Sequence, residues 1–212
     1  MQGPRPPIET VWNATAKVSR VFAWLGGILL LAAAMLVSAE VISRKVLTVV
    51  FSGSDELAAY LFAVGTSWSL AHVLVTRGHV RIDALYNKLP PGARAGFDIV
   101  ALVTLGFVAL AMLDRAFDLA LSNYLEWNRA NTPLRTPLSL PQIPWVFGFA
   151  LFLFSIGIAL LRTAIALRRG DRRTAHQTAG VASQDEEIES ELASLGIGVG
   201  HHRAPPPKLE KR

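Results

Sequence analysis

The sequence has no cysteine, and charge is scarce: only 17% of its 212 residues are Asp, Glu, Lys or Arg. Without thiols there are no disulfides, no cysteine nucleophile and no thiolate-held zinc or iron–sulfur site. A soluble domain carries charge on about a quarter of its residues. The shortfall here, set beside 51% hydrophobic residues and a positive mean hydropathy, points to lipid as the solvent. The net charge is +5 and the pI about 10.0, yet Lys and Arg stand mostly at the edges of apolar runs. That placement orients a chain in a bilayer. It does not make the clustered basic face of a nucleic-acid binder, so membrane lipids are expected as partners and nucleic acid is not.

Crossing roughly 30 Å of hydrocarbon takes about 20 mainly apolar residues. Residues 21–39 carry no charge, 57–76 are interrupted only by His72, 99–113 lie between Asp98 and Asp114, and 136–161 are charge-free. The first run, 19 residues long, exceeds the roughly 7–15 of a cleaved signal and reads as a retained span. Barrel strands would alternate over about ten residues. The expectation is therefore an all-α integral membrane protein with four transmembrane helices, at about 21–42, 57–76, 97–115 and 138–161, with amphipathic interfacial segments and a disordered C-terminal tail.

Three regions follow. Residues 1–20 form a cytoplasmic N-terminal segment; Ile8, Val11, Trp12, Val18 and Phe22 give it an apolar face, which suits an interfacial helix or a frayed end equally. Residues 21–170 are the four-helix membrane domain. Residues 171–212 are a cytoplasmic, charged and largely disordered tail with an acidic cluster from Asp185 to Glu191. Pro90 and Pro91 set the start of the third helix. Past Asp114, the spacing of Leu113, Phe117, Leu121 and Tyr124 predicts that this helix continues as an amphipathic extension. Pro133, Pro137, Pro141 and Pro144 are expected to break the chain before the last span. Twelve Lys and Arg flank the spans on the side of the termini. Five (Arg44, Lys45, Arg115, Arg129 and Arg135) lie on the other, which places both termini in the cytoplasm.

Chemistry is sparse. His72 stands alone inside a span, where a membrane haem needs paired axial ligands. Glu40 and Arg44 have the spacing of a helical ion pair. Ser54 is placed to cap the second helix, with Asp55 and Glu56 in the first turn, where negative charge suits the dipole. The stretch "RGHVRID" brings Arg77, His79, Arg81 and Asp83 to the end of that span, the arginines as headgroup anchors and His79 and Asp83 to hold the turn or meet a partner, rather than as a reacting constellation. His201 and His202 lack the ligands of a zinc site. There is no phosphate loop or nucleophile motif, so no catalytic, cofactor or metal site is expected and no enzyme activity. The candidates for a partner interface or headgroup anchor are Arg44, Asp55, Glu56, Arg77, His79, Arg81 and Asp83.

In order, these stretches resemble the DctQ-like small membrane subunit of tripartite ATP-independent periplasmic (TRAP) transporters. They are Arg44 after the first span, the acidic start Asp55-Glu56-Leu57, "RGHVRID" with His79 and Asp83 in the family's His-x-x-x-Asp pattern, "LYNKLPPGAR", and "TPLSLPQIPWVFG" at residues 136–148. The resemblance covers about residues 17–170. It departs where a glycine-containing run reads Ser67-Trp68-Ser69-Leu70-Ala71. The resemblance implies a scaffold in the bacterial inner membrane for a large permease subunit, which moves a carboxylate-type solute with sodium. The solute is delivered by a periplasmic solute-binding protein, and no cofactor is implied. Two alternatives stay open: a four-helix adaptor acting through its acidic tail, and a membrane subunit of a redox or lipid enzyme, which would need paired histidines or clustered carboxylates.

Overall fold

A computed structural model describes residues 7–48, 52–78 and 91–171, together with 174 and 178. All belong to the first of two units, residues 1–180 and 181–212. The architecture is four helices: α1 (Pro7–Val46), α2 (Ser54–Val75), α3 (Pro91–Leu125) and α4 (Ser139–Arg168). Each is long and apolar enough to cross a membrane. The described residues contain no strand, only an isolated bridge between Arg129 and Pro137. This is a multi-pass, all-α membrane protein, as only helices and closed barrels satisfy the backbone in lipid.

The helices alternate in direction. α1 packs on α2, α2 on α4 and α4 on α3, while α1 also touches α4. Thus α1, α2 and α4 form a three-helix core, with α3 leaning on its α4 side. One end of the bundle holds Glu40, Ser54 and Gln142, and the other holds Glu9, Arg77 and Arg162. These are called the Glu40 end and the Arg162 end below.

α1 is one helix of 40 residues, about 60 Å at 1.5 Å per residue. Residues 8–20 therefore continue into the first span without a break. Pro7 suits the first helical position, where no intrahelical N–H bond is lost. The buried residues Trp12, Ser19, Gly26, Ala33 and Glu40 recur every seven residues, the period of a seam in left-handed helix packing. At the middle of that seam, a Cβ built on Gly26 would stand 2.6 Å from the Gly65 carbonyl oxygen, and one on Gly65 would stand 2.8 Å from the Gly26 oxygen. The backbones of α1 and α2 touch there, as small residues allow in lipid. Phe22 closes the layer edge-on to Trp68, 4.9 Å between centroids, and lies 5.4 Å from Phe147 of α4.

Toward the Arg162 end the core is apolar. Trp12, Leu74, Leu102, Ala109, Phe152, Ile156 and Ala159 form one buried cluster, drawing on all four helices. α3 presents Leu102, Ala109, Ala116 and Asn123 to α4, again every seven residues.

The sequence expectation fails at two points. Pro141 and Pro144 do not precede the last helix but lie within it. Pro141 is the third residue, where the N–H has no intrahelical acceptor, and Pro144 deletes only one bond near the terminus. Ser54 does not cap α2 either. Gly53 occupies the cap position at φ +97°, with no side-chain cap bond, and Ser54 is the first helical residue. Its hydroxyl is drawn to a carboxylate on α1. The amphipathic extension of the third helix runs on as expected, to Leu125.

Candidate functional site

The sequence candidates fall at opposite ends of the bundle. At the Glu40 end, Arg44 donates to one oxygen of the Glu40 carboxylate and the Ser54 hydroxyl donates to the other. Glu40 is 3% exposed, while the Arg44 side chain is 55% exposed. The expected helical pair is therefore present, and a hydroxyl from α2 completes it. This joins the last turns of α1 to the first turn of α2.

Asp55 and Glu56 are adjacent in sequence but separated by the helix. Asp55 is exposed and Glu56 buried. The Glu56 carboxylate accepts from the Tyr60 hydroxyl at 2.6 Å and from the Thr132 hydroxyl. Thr132 lies on the α3–α4 connection, which is itself ordered by backbone bonds. Ala130 donates to Thr136 at 2.9 Å, and Leu138 to Asn128 at 3.1 Å. Asn123 of α3 donates to Gln142 of α4 at 3.0 Å and accepts from Asn128 at 3.1 Å. Leu134 folds over Gly53, where a Cβ would meet its methyl at 1.3 Å. The positive φ favours glycine at that corner, whereas the exposed Leu134 side chain could turn aside. Glu40, Glu56 and Asn123 thus fasten all four helices at one rim.

Arg77 lies at the other end of α2. The helix closes there with Gly78 N–H on the Val73 carbonyl at 2.8 Å and Arg77 N–H on Leu74 at 3.0 Å. This paired pattern places Arg77 at the left-handed position, with φ +60°. His79, Arg81 and Asp83 lie outside the described residues. His72 has a buried Nδ1 with no hydrogen-bond partner among the described residues. Among those residues no group of three or more His, Cys, Asp or Glu could hold a metal ion.

One site has almost no signal in the sequence. Arg162 of α4 donates from Nε and Nη2 to the two oxygens of Glu9 at 2.9 and 3.0 Å, and its guanidinium carbon stands 4.9 Å from the Trp12 ring centroid. The Arg162 side chain is 13% exposed and that of Glu9 27%. This bidentate, stacked arrangement is the geometry for which arginine is suited and lysine is not. It ties the start of α1 to the last turns of α4. The only sequence signal was the apolar face around Trp12, which does not say what covers it.

Two grooves run along the α3–α4 seam. One, of about 470 Å³, includes Phe107, Met112, Arg115, Leu119, Trp145 and Phe149 in its lining. The other, of about 260 Å³, lies between Phe117, Leu121 and Tyr124 of α3 and Ile143 and Val146 of α4.

A family model described as tripartite ATP-independent periplasmic transporters, DctQ component, matches residues 33–166. The chain belongs to the DctQ family. The match opens within α1 and closes two residues before the end of α4, so it takes in the whole rim at the Glu40 end. No curated protein and no solved structure matches the chain. DctQ is a transporter component and not an enzyme, and it works in a tripartite system with a large permease subunit and a periplasmic binding protein.

Proposed function

We propose that this DctQ chain is a static scaffold for the large permease subunit in the bacterial inner membrane, with both termini in the cytoplasm. The large subunit moves a carboxylate-type solute with sodium after the periplasmic binding protein delivers it. The Glu40 end then faces the periplasm and the Arg162 end the cytoplasm, in keeping with the bias of Lys and Arg toward the latter.

One observation carries the scaffold reading. A transporter holds its solute and ion near the midplane, on broken helices and buried polar groups. Here the four helices are continuous, and several of the hydroxyls inside them are bound to their own helix. Ser67 donates to Val64 at 3.0 Å, Ser69 to Gly65 at 2.9 Å and Ser155 to Leu151 at 2.8 Å. Mid-depth is filled by Phe22, Trp68 and Phe147, which offer no charge to a carboxylate or a cation.

The test is reconstitution into proteoliposomes with an inward sodium gradient and the loaded binding protein. The chain alone gives no uptake, and adding the large subunit restores it. Sodium-dependent uptake by this chain alone would overturn the scaffold reading.

A further inference from the structure

We propose that the larger α3–α4 groove is the seat of a membrane helix of the large permease subunit, one that brings a carboxylate to Arg115. This rests on the small-subunit reading above and adds which face docks and by what contact.

The expected last span, residues 138–161, puts the far hydrocarbon boundary at the start of α4, near Ser139. Trp145 and Phe149, which line the groove with Arg115, lie about two and three turns inside that boundary. The Arg115 side chain is 84% exposed, and its nearest carboxylate contact, Asp114, is long at 4.0 Å. A guanidinium facing lipid at that level is costly, and such groups in membrane proteins ordinarily meet an opposite charge. Among the described residues, the chain supplies only that long contact.

Large apolar side chains stand exposed on α3 from Phe97 to Leu125, about 42 Å along the axis. Hydrocarbon about 30 Å thick would cover them only at a tilt of about 45°, beyond the roughly 0–40° that such helices show. Lipid therefore leaves part of this surface in water, and a protein partner that itself projects from the bilayer does not. α3 packs chiefly on α4, and the open side of that seam is the groove holding Arg115. An acyl chain would fill the apolar part of the groove, but it would neither extend past the headgroups to Leu125 nor fix a carboxylate beside Arg115.

The absence of cysteine makes the test direct. Phe107→Cys and Leu119→Cys in the groove, and Leu31→Cys and Met35→Cys on the exposed face of α1, are each labelled with a benzophenone maleimide in the full chain co-expressed with the large subunit. Irradiation is expected to join the large subunit to the groove positions at least tenfold more than to the α1 positions. Equal or greater yield from α1, or adducts from the groove with lipid only, overturns the docking face while leaving the scaffold reading intact. Failure of the large subunit to co-purify at all overturns both. Arg115→Glu is expected to lower the co-purified large subunit at least tenfold and Arg115→Lys to retain most of it; wild-type yield with Arg115→Glu removes the carboxylate contact. The cross-linking arm keeps Arg115, so it stands even where the charge reversal unfolds the chain.

Discussion

Trp68 on α2 donates its indole N–H to the Pro144 carbonyl on α4 at 2.8 Å. The two residues mark places where the sequence breaks a local rule: a large ring within a run of small residues, and a proline inside a helix. Pro144 loosens the first turns of α4, and Trp68 fastens that segment from a neighbouring helix. Its ring also packs edge-on to Phe22 of α1, so a single side chain joins the three core helices.

Trp68→Phe should keep the ring contact and lose the hydrogen bond, at a cost of about 1 kcal/mol. Trp68→Ala should cost more, because it also removes the half-buried ring packed against Phe22. Thermal unfolding of the purified chain in detergent, followed by size-exclusion chromatography, ranks the two. Equal midpoints for both variants would remove Trp68 from the core.

At the Glu40 end, Glu40→Ala should lower the thermal midpoint more than Arg44→Ala does. The carboxylate is buried and receives two donors, one from α2, whereas the Arg44 side chain is half exposed and can turn to water. Glu40→Gln, which keeps an acceptor for Ser54, should fall between them. The same unfolding assay gives the order, and a reversed order would mean that the arginine is the anchor.

At the Arg162 end, Arg162→Lys should behave nearly as poorly as Arg162→Ala, because an ammonium cannot supply two parallel N–H bonds while stacked on Trp12. The expected loss is about 1.5–3 kcal/mol. A double-mutant cycle with Glu9→Gln should return most of that loss as coupling. Additive effects would show that the pair contributes nothing beyond its separate parts.

For orientation, a cysteine at Ser52 or Asn131 should react with an impermeant maleimide added to intact spheroplasts, and one at Asn87 should react only after lysis. The opposite pattern would place the termini outside.

Runs nearly free of charge marked all four helices because lipid leaves a spanning chain only helices or closed barrels, and a barrel would need alternating strands. The extension of α3 past Asp114 was legible from the spacing of Phe117, Leu121 and Tyr124. Spacing within one helix likewise revealed Glu40 with Arg44. Contacts between distant segments were not legible. Nothing near Glu9 in sequence points to Arg162, 153 positions away, and nothing near Glu56 points to Thr132, 76 positions away. Ser54 showed the limit of a local rule. Its type and position suited a cap, but a buried carboxylate on α1 competed for the same hydroxyl and took it. The prolines misled for a related reason, since a break signal has little force near a helix start, where Pro141 loses no intrahelical bond and Pro144 only one.

The hydroxyls bound within their own helices bear on how the protein is made. Thr15, Ser19, Ser67 and Ser155 donate to carbonyls three or four residues back, so each segment can leave the translocon for lipid with these groups already satisfied. Glu40 differs, because its second donor arrives only with Ser54, fourteen residues later in synthesis. The first two spans therefore complete each other as a hairpin, and the rim that closes over them waits for Thr132 and the last span.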